Sequence, residues 1–362
     1  MGKLGISIYP SKTSMAEMKA YIDLAVKYGY QRLFTSMLEV ADNELETVAT
    51  FTEIIQYGND KGLKTSLDVN PKLFKALNIK YNQLEVFAQM GIDTLRLDEG
   101  FTGYEEAMLT HNNLGIKIEL NISRGQHYID MVMDFGPNPH QLIGSHNFYP
   151  QEYTGLSFDY FLKTANQYKS YNLKTAAFID SPNGKIGPWP LSDRMVSTEI
   201  QRDMSLKAQV SLLKMCGQID DIILSSSLLP ENDLKIVADA FRQSLPAFPV
   251  KVRQELSAVE KEILLDTHHL YRGDKSDYMI RSSQPRLIYK DHSIEPFNTI
   301  SIKKGMVTIG NNNAGQYKGE LQIALQDRPN NGRQNVVAQI TSENNILITL
   351  LKLWQSFIFI EE

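Results

Sequence analysis

Ile116-Lys117-Ile118-Glu119-Leu120-Asn121 alternates apolar and polar side chains without a break. Successive side chains of a strand point to opposite faces, so one face is apolar and the other carries Lys117, Glu119 and Asn121. In a barrel wall the apolar face meets surrounding helices and the other face fills the lumen. Seven further β-type runs surround this one, at residues 4–9, 32–36, 64–68, 94–98, 142–147, 175–180 and 221–225. Amphipathic helical runs separate them. The first opens on a capping box, Ser14 with Glu17, places Met15, Met18, Ile22 and Val26 at helical spacing, and reaches Gly29 where a C-cap glycine belongs. The repeated βα pattern predicts a (β/α)₈ TIM barrel. An open doubly wound sheet is the alternative, but the Gly-rich phosphate loop that usually marks it is missing.

The same test applies to the other alternating strands. Leu4, Ile6 and Ile8 take the helix side, which turns Gly5, Ser7 and Tyr9 inward. Thr65 and Leu67 leave Ser66 and Asp68 inside, and Leu95 and Leu97 leave Thr94, Arg96 and Asp98 inside. Strands two, six, seven and eight stay ambiguous. Asp68, Asp98 and Glu119 thus fall near the C-terminal ends of successive strands, where this fold builds its active sites. Glu39, Glu99, Asp180 and Glu199 lie on or beside loops at the same end. Arg96 beside Asp98 and Lys117 beside Glu119 also suit structural ion pairs, but three inward acids at the functional end exceed what packing requires.

The chain has 362 residues, enough for a barrel of about 250 residues and a second unit. Pro246 and Pro249 mark a linker over 244–251, and β-rich runs follow at 278–281, 299–302, 306–309, 320–325 and 346–351. The expected domains are a catalytic barrel over 1–245 and a small β-rich domain over 250–362. A formal net charge of −5 argues against nucleic acid as the main partner. The single cysteine, Cys216, excludes an internal disulfide. With no signal peptide in residues 1–10 and no apolar membrane span, the cytoplasm is the expected compartment. Nothing in the residues fixes the oligomeric state.

The seven histidines lack H-x-H or H-E-x-x-H spacing, so no zinc site and no cofactor are expected. A carboxylate-bound Mg²⁺ needs only one or two acids and stays open. There is no G-x-S-x-G elbow. His146-Asn147-Phe148-Tyr149-Pro150, after strand six, offers sugar-binding groups at a barrel mouth or an ordinary proline-closed turn. Arg281-Ser282-Ser283-Gln284-Pro285-Arg286 sets two arginines around two serines, which suits phosphate or carboxylate oxygens.

Several of these motifs occur together in one family. Leu4-Gly5-Ile6-Ser7-Ile8-Tyr9-Pro10, Phe34-Thr35-Ser36-Met37-Leu38-Glu39, Leu95-Arg96-Leu97-Asp98, His146-Asn147-Phe148-Tyr149-Pro150, Ser197-Thr198-Glu199 and Ile280-Arg281-Ser282-Ser283 resemble the bacterial 6-phospho-N-acetylmuramidases. Members of that family were long labelled outer surface proteins. The likeness runs over essentially the whole chain. It implies a barrel followed by a cyclophilin-like domain. It also implies hydrolysis of the β-1,4 bond of N-acetylmuramic acid 6-phosphate–N-acetylglucosamine in peptidoglycan recycling.

The resulting expectation is a glycoside hydrolase. Asp98 and Glu119 form the acid pair, with Asp68, Glu39 and Glu199 in reserve. Tyr9, Arg96, Lys117, Asn121, His146, Asn147 and Tyr149 would contact substrate. Arg281, Ser282, Ser283 and Arg286 would hold its 6-phosphate or lactyl carboxylate. The rivals are a Mg²⁺-dependent sugar-phosphate lyase or aldolase on the same barrel, and a non-catalytic sugar-phosphate binding protein.

Overall fold

The computed structural model describes residues 2–38, 44–76, 79–81, 83–190 and 193–362. The chain divides into two compact units, Met1–Phe241 and Arg242–Glu362. In the first, β1 (Leu4–Ser7), β2 (Arg32–Ser36), β3 (Lys64–Val69), β4 (Thr94–Leu97), β5 (Lys117–Asn121), β6 (Leu142–Ser145), β7 (Lys174–Ile179) and β8 (Asp221–Leu224) form a closed parallel barrel. Closure comes from β1 pairing with both β2 and β8.

Local chemistry sets the helices around it. Ser14 and Glu17 form the expected capping box, each side chain accepting the other's backbone N–H. The helix Met15–Lys27 buries Met18, Tyr21, Ile22 and Ala25, one stripe at helical spacing. They pack with Leu4, Ile6 and Ile8 of the first strand run. On the other side of the barrel Leu95, Leu97, Ile116, Ile118 and Leu120 pack against Phe87, Ile129 and Val132. The inferred outward faces of strands one, four and five are thus the helix-facing ones.

The second unit holds one mixed sheet. Its strands are β9 (Ala247–Val252), β10 (His269–Leu270), β11 (Met279–Ser282), β12 (Met306–Gly310), β13 (Leu321–Ala324), β14 (Gln334–Ile340) and β15 (Ser356–Glu361). Their order is β10-β15-β9-β14-β12-β13-β11. The two edges approach each other, Arg272 N–H donating to the Arg281 carbonyl at 2.9 Å, so the sheet nearly closes.

Three expectations for this unit need correction. Residues 247–251, read as linker, belong to β9, an interior strand between β15 and β14. Proline usually avoids such a position because it donates no ladder bond. Pro249 serves through its carbonyl instead, accepting from Thr341 N–H at 3.2 Å just where β14 ends. Residues 346–351, read as strand, fall almost wholly in the helix Asn345–Leu350, which buries Leu347 and Ile348. An apolar run this short has no periodicity to tell the two states apart. Residues 299–302 form no strand beyond one isolated bridge between Ile302 and Arg328.

The floor of the barrel lumen is an ion cluster. Arg32 donates to Glu119 at 2.7 Å, to Asp221 at 2.9 Å and to Ser66 at 2.7 Å, with all three charged side chains at or below 10% exposure. Arg32→Ala would strand two buried carboxylates. We expect it to cost about 3–5 kcal/mol in urea unfolding; a loss below 1 kcal/mol would show that the cluster does not stabilise the barrel.

Candidate active site

A second ion cluster stands above the first, towards the C-terminal ends of the strands, and Arg96 is its centre. Its Nη1 lies 2.5 Å from Asp68 and 3.3 Å from Asp98. Its Nε donates to Ser145 Oγ at 2.9 Å, and its Nη2 donates to the Asn147 side-chain oxygen. The two acids differ in access: the Asp68 side chain is 7% exposed and that of Asp98 is 31% exposed. Asn121 joins from β5, its amide donating to the Asp98 carbonyl at 3.2 Å.

The electrostatics separate the acids. Burial pushes the Asp68 carboxyl up to about 7; Arg96 pulls against that shift and Asp98 adds to it. Burial also works against ionised Glu119, but Arg32 beside it, helped by Arg96 and Ser66, holds it below the ordinary glutamate range. Glu119 is therefore a fixed anion of the floor. Asp68 is the carboxyl whose pKa lies near neutral pH.

Apolar residues make the rest of the wall. Phe34, Ala176, Phe178 and Ile223, from β2, β7 and β8, cluster with Phe148 from the loop after β6. The Phe34 and Phe178 rings meet edge-on at 5.1 Å, and those of Phe148 and Phe178 at 5.0 Å. Polar groups from β3, β4 and β5 thus face an aromatic surface.

The structure brings together Asp68, Asp98, Arg96, Asn121 and Asn147. Tyr149 is close by: burial raises its phenol, and Arg96 and Asp98 act on it. Tyr9 also lies in the lumen, donating to the Ser225 carbonyl at 2.6 Å, with its phenol pushed well up by burial and by Asp180 and Asp68.

Other expected site residues lie apart. Lys117 opens β5 and lies 3.7 Å from Asp93, in a cavity of about 290 Å³ bordered by the first residues of several strands, at the opposite end of the barrel from Asp98. His146 is fully buried and turned to the helix layer, stacked on Phe161 with ring centroids 4.0 Å apart. Burial, with the charge of Arg96, lowers its pKa to about 3 and keeps it neutral. Glu199 is a clamp. Arg202 grips it at 2.7 and 2.9 Å, and the Tyr153 and Gly155 N–H groups donate to it at 2.9 and 2.8 Å. The Arg202 bonds hold its pKa at about 2. Gly155 is needed there, since a Cβ would stand 2.7 Å from a Glu199 oxygen. Glu39 lies outside the described residues. In the second unit Arg281 and Arg286 both reach Glu320, whereas Ser282 is buried against His269 at 3.1 Å and Ser283 follows it as β11 ends.

Three contributors had no sequence signal of their own. Arg32 and Ser145 sit on strands where alternation was ambiguous. Ser123 receives the Asn147 N–H at 2.9 Å, linking the segments after β5 and β6. Asp180, recognised only as an acid near the loops, accepts from Met195 N–H at 2.6 Å and from Ser226 Oγ, and so ties the loops after β7 and β8. Among the described residues no group of three or more His, Cys, Asp or Glu side chains is placed to hold a metal ion, and no helix is long and apolar enough to cross a membrane.

Comparison with known proteins follows the two units. The sequence model described as 6-phospho-N-acetylmuramidase, N-terminal, matches residues 4–239, and its C-terminal counterpart matches residues 246–360. No curated protein matches. The crystal structure of an uncharacterised B. cereus protein is 37% identical, with a TM-score of 0.91 over 99% of both chains. A conserved Enterococcus faecalis protein of unknown function is 22% identical, with a TM-score of 0.72 over 99% of this chain and 96% of its own, and speaks to the fold alone. With both of its parts matched over nearly the whole length, the chain belongs to the 6-phospho-N-acetylmuramidase family.

Proposed function

We propose that this protein hydrolyses the β-1,4 bond of N-acetylmuramic acid 6-phosphate–N-acetylglucosamine, in the cytoplasm, as a step of peptidoglycan recycling. The cyclophilin-like description of its second unit belongs to the same reading, supported by the nearly closed mixed sheet. The observation that carries the chemistry is the pair of carboxylates sharing one Arg96 nitrogen, one of them titrating near 7. A glycosidase needs a group that protonates the leaving oxygen and a second that supports the oxocarbenium-like transition state. Asp68 takes the first role, because burial keeps a proton on it where an ordinary aspartate has none. Asp98, more open to solvent, takes the second. Glu119 is reassigned from that pair to positioning, since its ion pair with Arg32 leaves it no proton to give.

Arg96 holds both carboxylates in place without a metal ion in the step. Asn121, Asn147 and Tyr149 border the acids and suit sugar hydroxyls and the acetamido group. Phe148, at the edge of the aromatic wall, suits the C–H face of a pyranose ring.

The test is mass-spectrometric detection of both monosaccharides from the phosphorylated disaccharide, beside its unphosphorylated twin. We expect release from the phosphorylated substrate alone, unchanged by EDTA. Asp68→Asn and Asp98→Asn should each lower kcat about 10²–10⁴-fold. No release from either disaccharide by folded protein would sink the hydrolase, and loss with EDTA would favour the Mg²⁺-dependent lyase.

The Asp68 shift also fixes a pH dependence. Its folded pKa lies above the unfolded value of 3.8, so the folded state binds the extra proton. The stability this gives is complete below about pH 4 and is lost as pH rises through about 7. Activity that needs the protonated acid should fall over the same upper limb. Urea unfolding from pH 4 to 8 should show this decline in the parent protein and a flatter profile in Asp68→Asn; identical profiles would remove Asp68 as the proton carrier.

A further inference from the structure

The second unit carries a polar cavity that hydrolysis in the barrel does not use. Its volume is about 470 Å³, the size for one sugar-like molecule, and Arg281, Tyr317, Gln322, Arg328, Arg333 and Gln334 are among its lining residues.

Its geometry starts from Glu320, which is fully buried. Arg281 grips the two oxygens at 2.8 and 3.0 Å, the Gln322 amide donates at 3.2 Å, and Arg286 approaches at 3.5 Å. Arg281 also meets Asp274 at 3.3 Å. Both of these arginines are therefore matched by carboxylate.

Arg328 is not matched. One N–H donates to the Tyr278 carbonyl at 3.2 Å and another to Gln322 Oε1 at 3.0 Å, and both acceptors are neutral. Among the described residues no carboxylate lies within ion-pair distance of it. Arg328 is half-buried, and burial pulls its pKa below the usual arginine value. A guanidinium has five N–H donors, so three remain for a ligand. A partly desolvated cation without a counter-charge is costly, and an anion would offset that cost. The two existing bonds already fix the orientation of the fork, which suits the paired oxygens of a phosphate or carboxylate. Arg333, exposed on the same rim, adds a second cation with no carboxylate partner among the described residues. Gln322 and Gln334, the latter held by Thr308 at 3.2 Å, supply neutral amides of the kind that read hydroxyls.

We propose that this cavity binds an acidic sugar, with Arg328 on its phosphate or carboxylate and the Gln322 and Gln334 amides beside its hydroxyls. The site lies wholly within the second unit, so its failure and the failure of the hydrolase are separate results.

Calorimetric titration of the full chain tests it, with glucose 6-phosphate, glucuronate and neutral glucose as probes. We expect saturable binding of at least one acidic sugar and none of glucose. Glucose 6-phosphate alone would mark a phosphate site and glucuronate alone a carboxylate site, and either upholds the class. Arg328→Gln should weaken binding at least tenfold with an unchanged melting temperature. If that variant fails to fold, Arg333→Gln on the exposed rim takes over, and binding several-fold weaker is expected. No binding of either acid, equal binding of glucose, or wild-type affinity in folded Arg328→Gln (a sugar seated in the barrel) would overturn the proposal. Wild-type affinity in Arg333→Gln, where it replaces the first variant, would do the same.

Discussion

A buried guanidinium has to be matched donor by donor, and Arg96, at 2% exposure, imposes that requirement on the upper lumen. Asp68, Asp98, Ser145 and Asn147 meet it from four directions. Those four come from β3, from the end of β4, from β6 and from the loop after β6. One side chain therefore sets the mutual orientation of several strand ends, and the segment around Ser123 is drawn in through Asn147. The acids are held still for the same reason that the arginine is tolerated.

Two clusters of similar composition behave differently because their surroundings differ. Each has one arginine between two acids. In the lower one Arg32, Ser145, Arg96 and Ser66 all favour ionised Glu119 against its burial. The upper one faces the aromatic wall, and there burial of Asp68 outweighs the pull of Arg96. Two negative charges against one positive is an excess that a dry site resists, and a proton on Asp68 relieves it. The raised pKa of Asp68 thus arises from its burial and from Asp98, not from any property of the aspartate itself.

The barrel was readable because β1, β3, β4 and β5 alternate apolar and polar residues, and a period of two assigns each side chain to a face. It does not assign height. Lys117, Glu119 and Asn121 share one face of β5, yet they belong to the far end, the floor and the upper cluster of the lumen in turn. Sequence spacing alone could not separate Glu119 from Asp98 in role. On β2, β7 and β8 the inward face mixes apolar residues, Phe34, Ala176, Phe178 and Ile223, with polar ones such as Arg32 and Asp221, so alternation was silent there. His146 looked like a ligand because it sits among polar mouth residues, but its ring packs on Phe161. In the second unit prolines and short apolar runs misled, since β9 and the helix Asn345–Leu350 are settled by long-range pairing and packing.

The division of the barrel wall into a charged arc and an aromatic arc breaks the eightfold regularity of the backbone. The backbone treats its eight strands alike, whereas the side chains do not. A pyranose is itself two-sided, with hydroxyls around its rim and C–H groups on its faces. If the proposed sugar is the occupant, its hydroxyl rim would favour the charged arc and its C–H face the aromatic one. In the proposed reaction, orientation of the sugar would then be selected by the wall before any bond breaking.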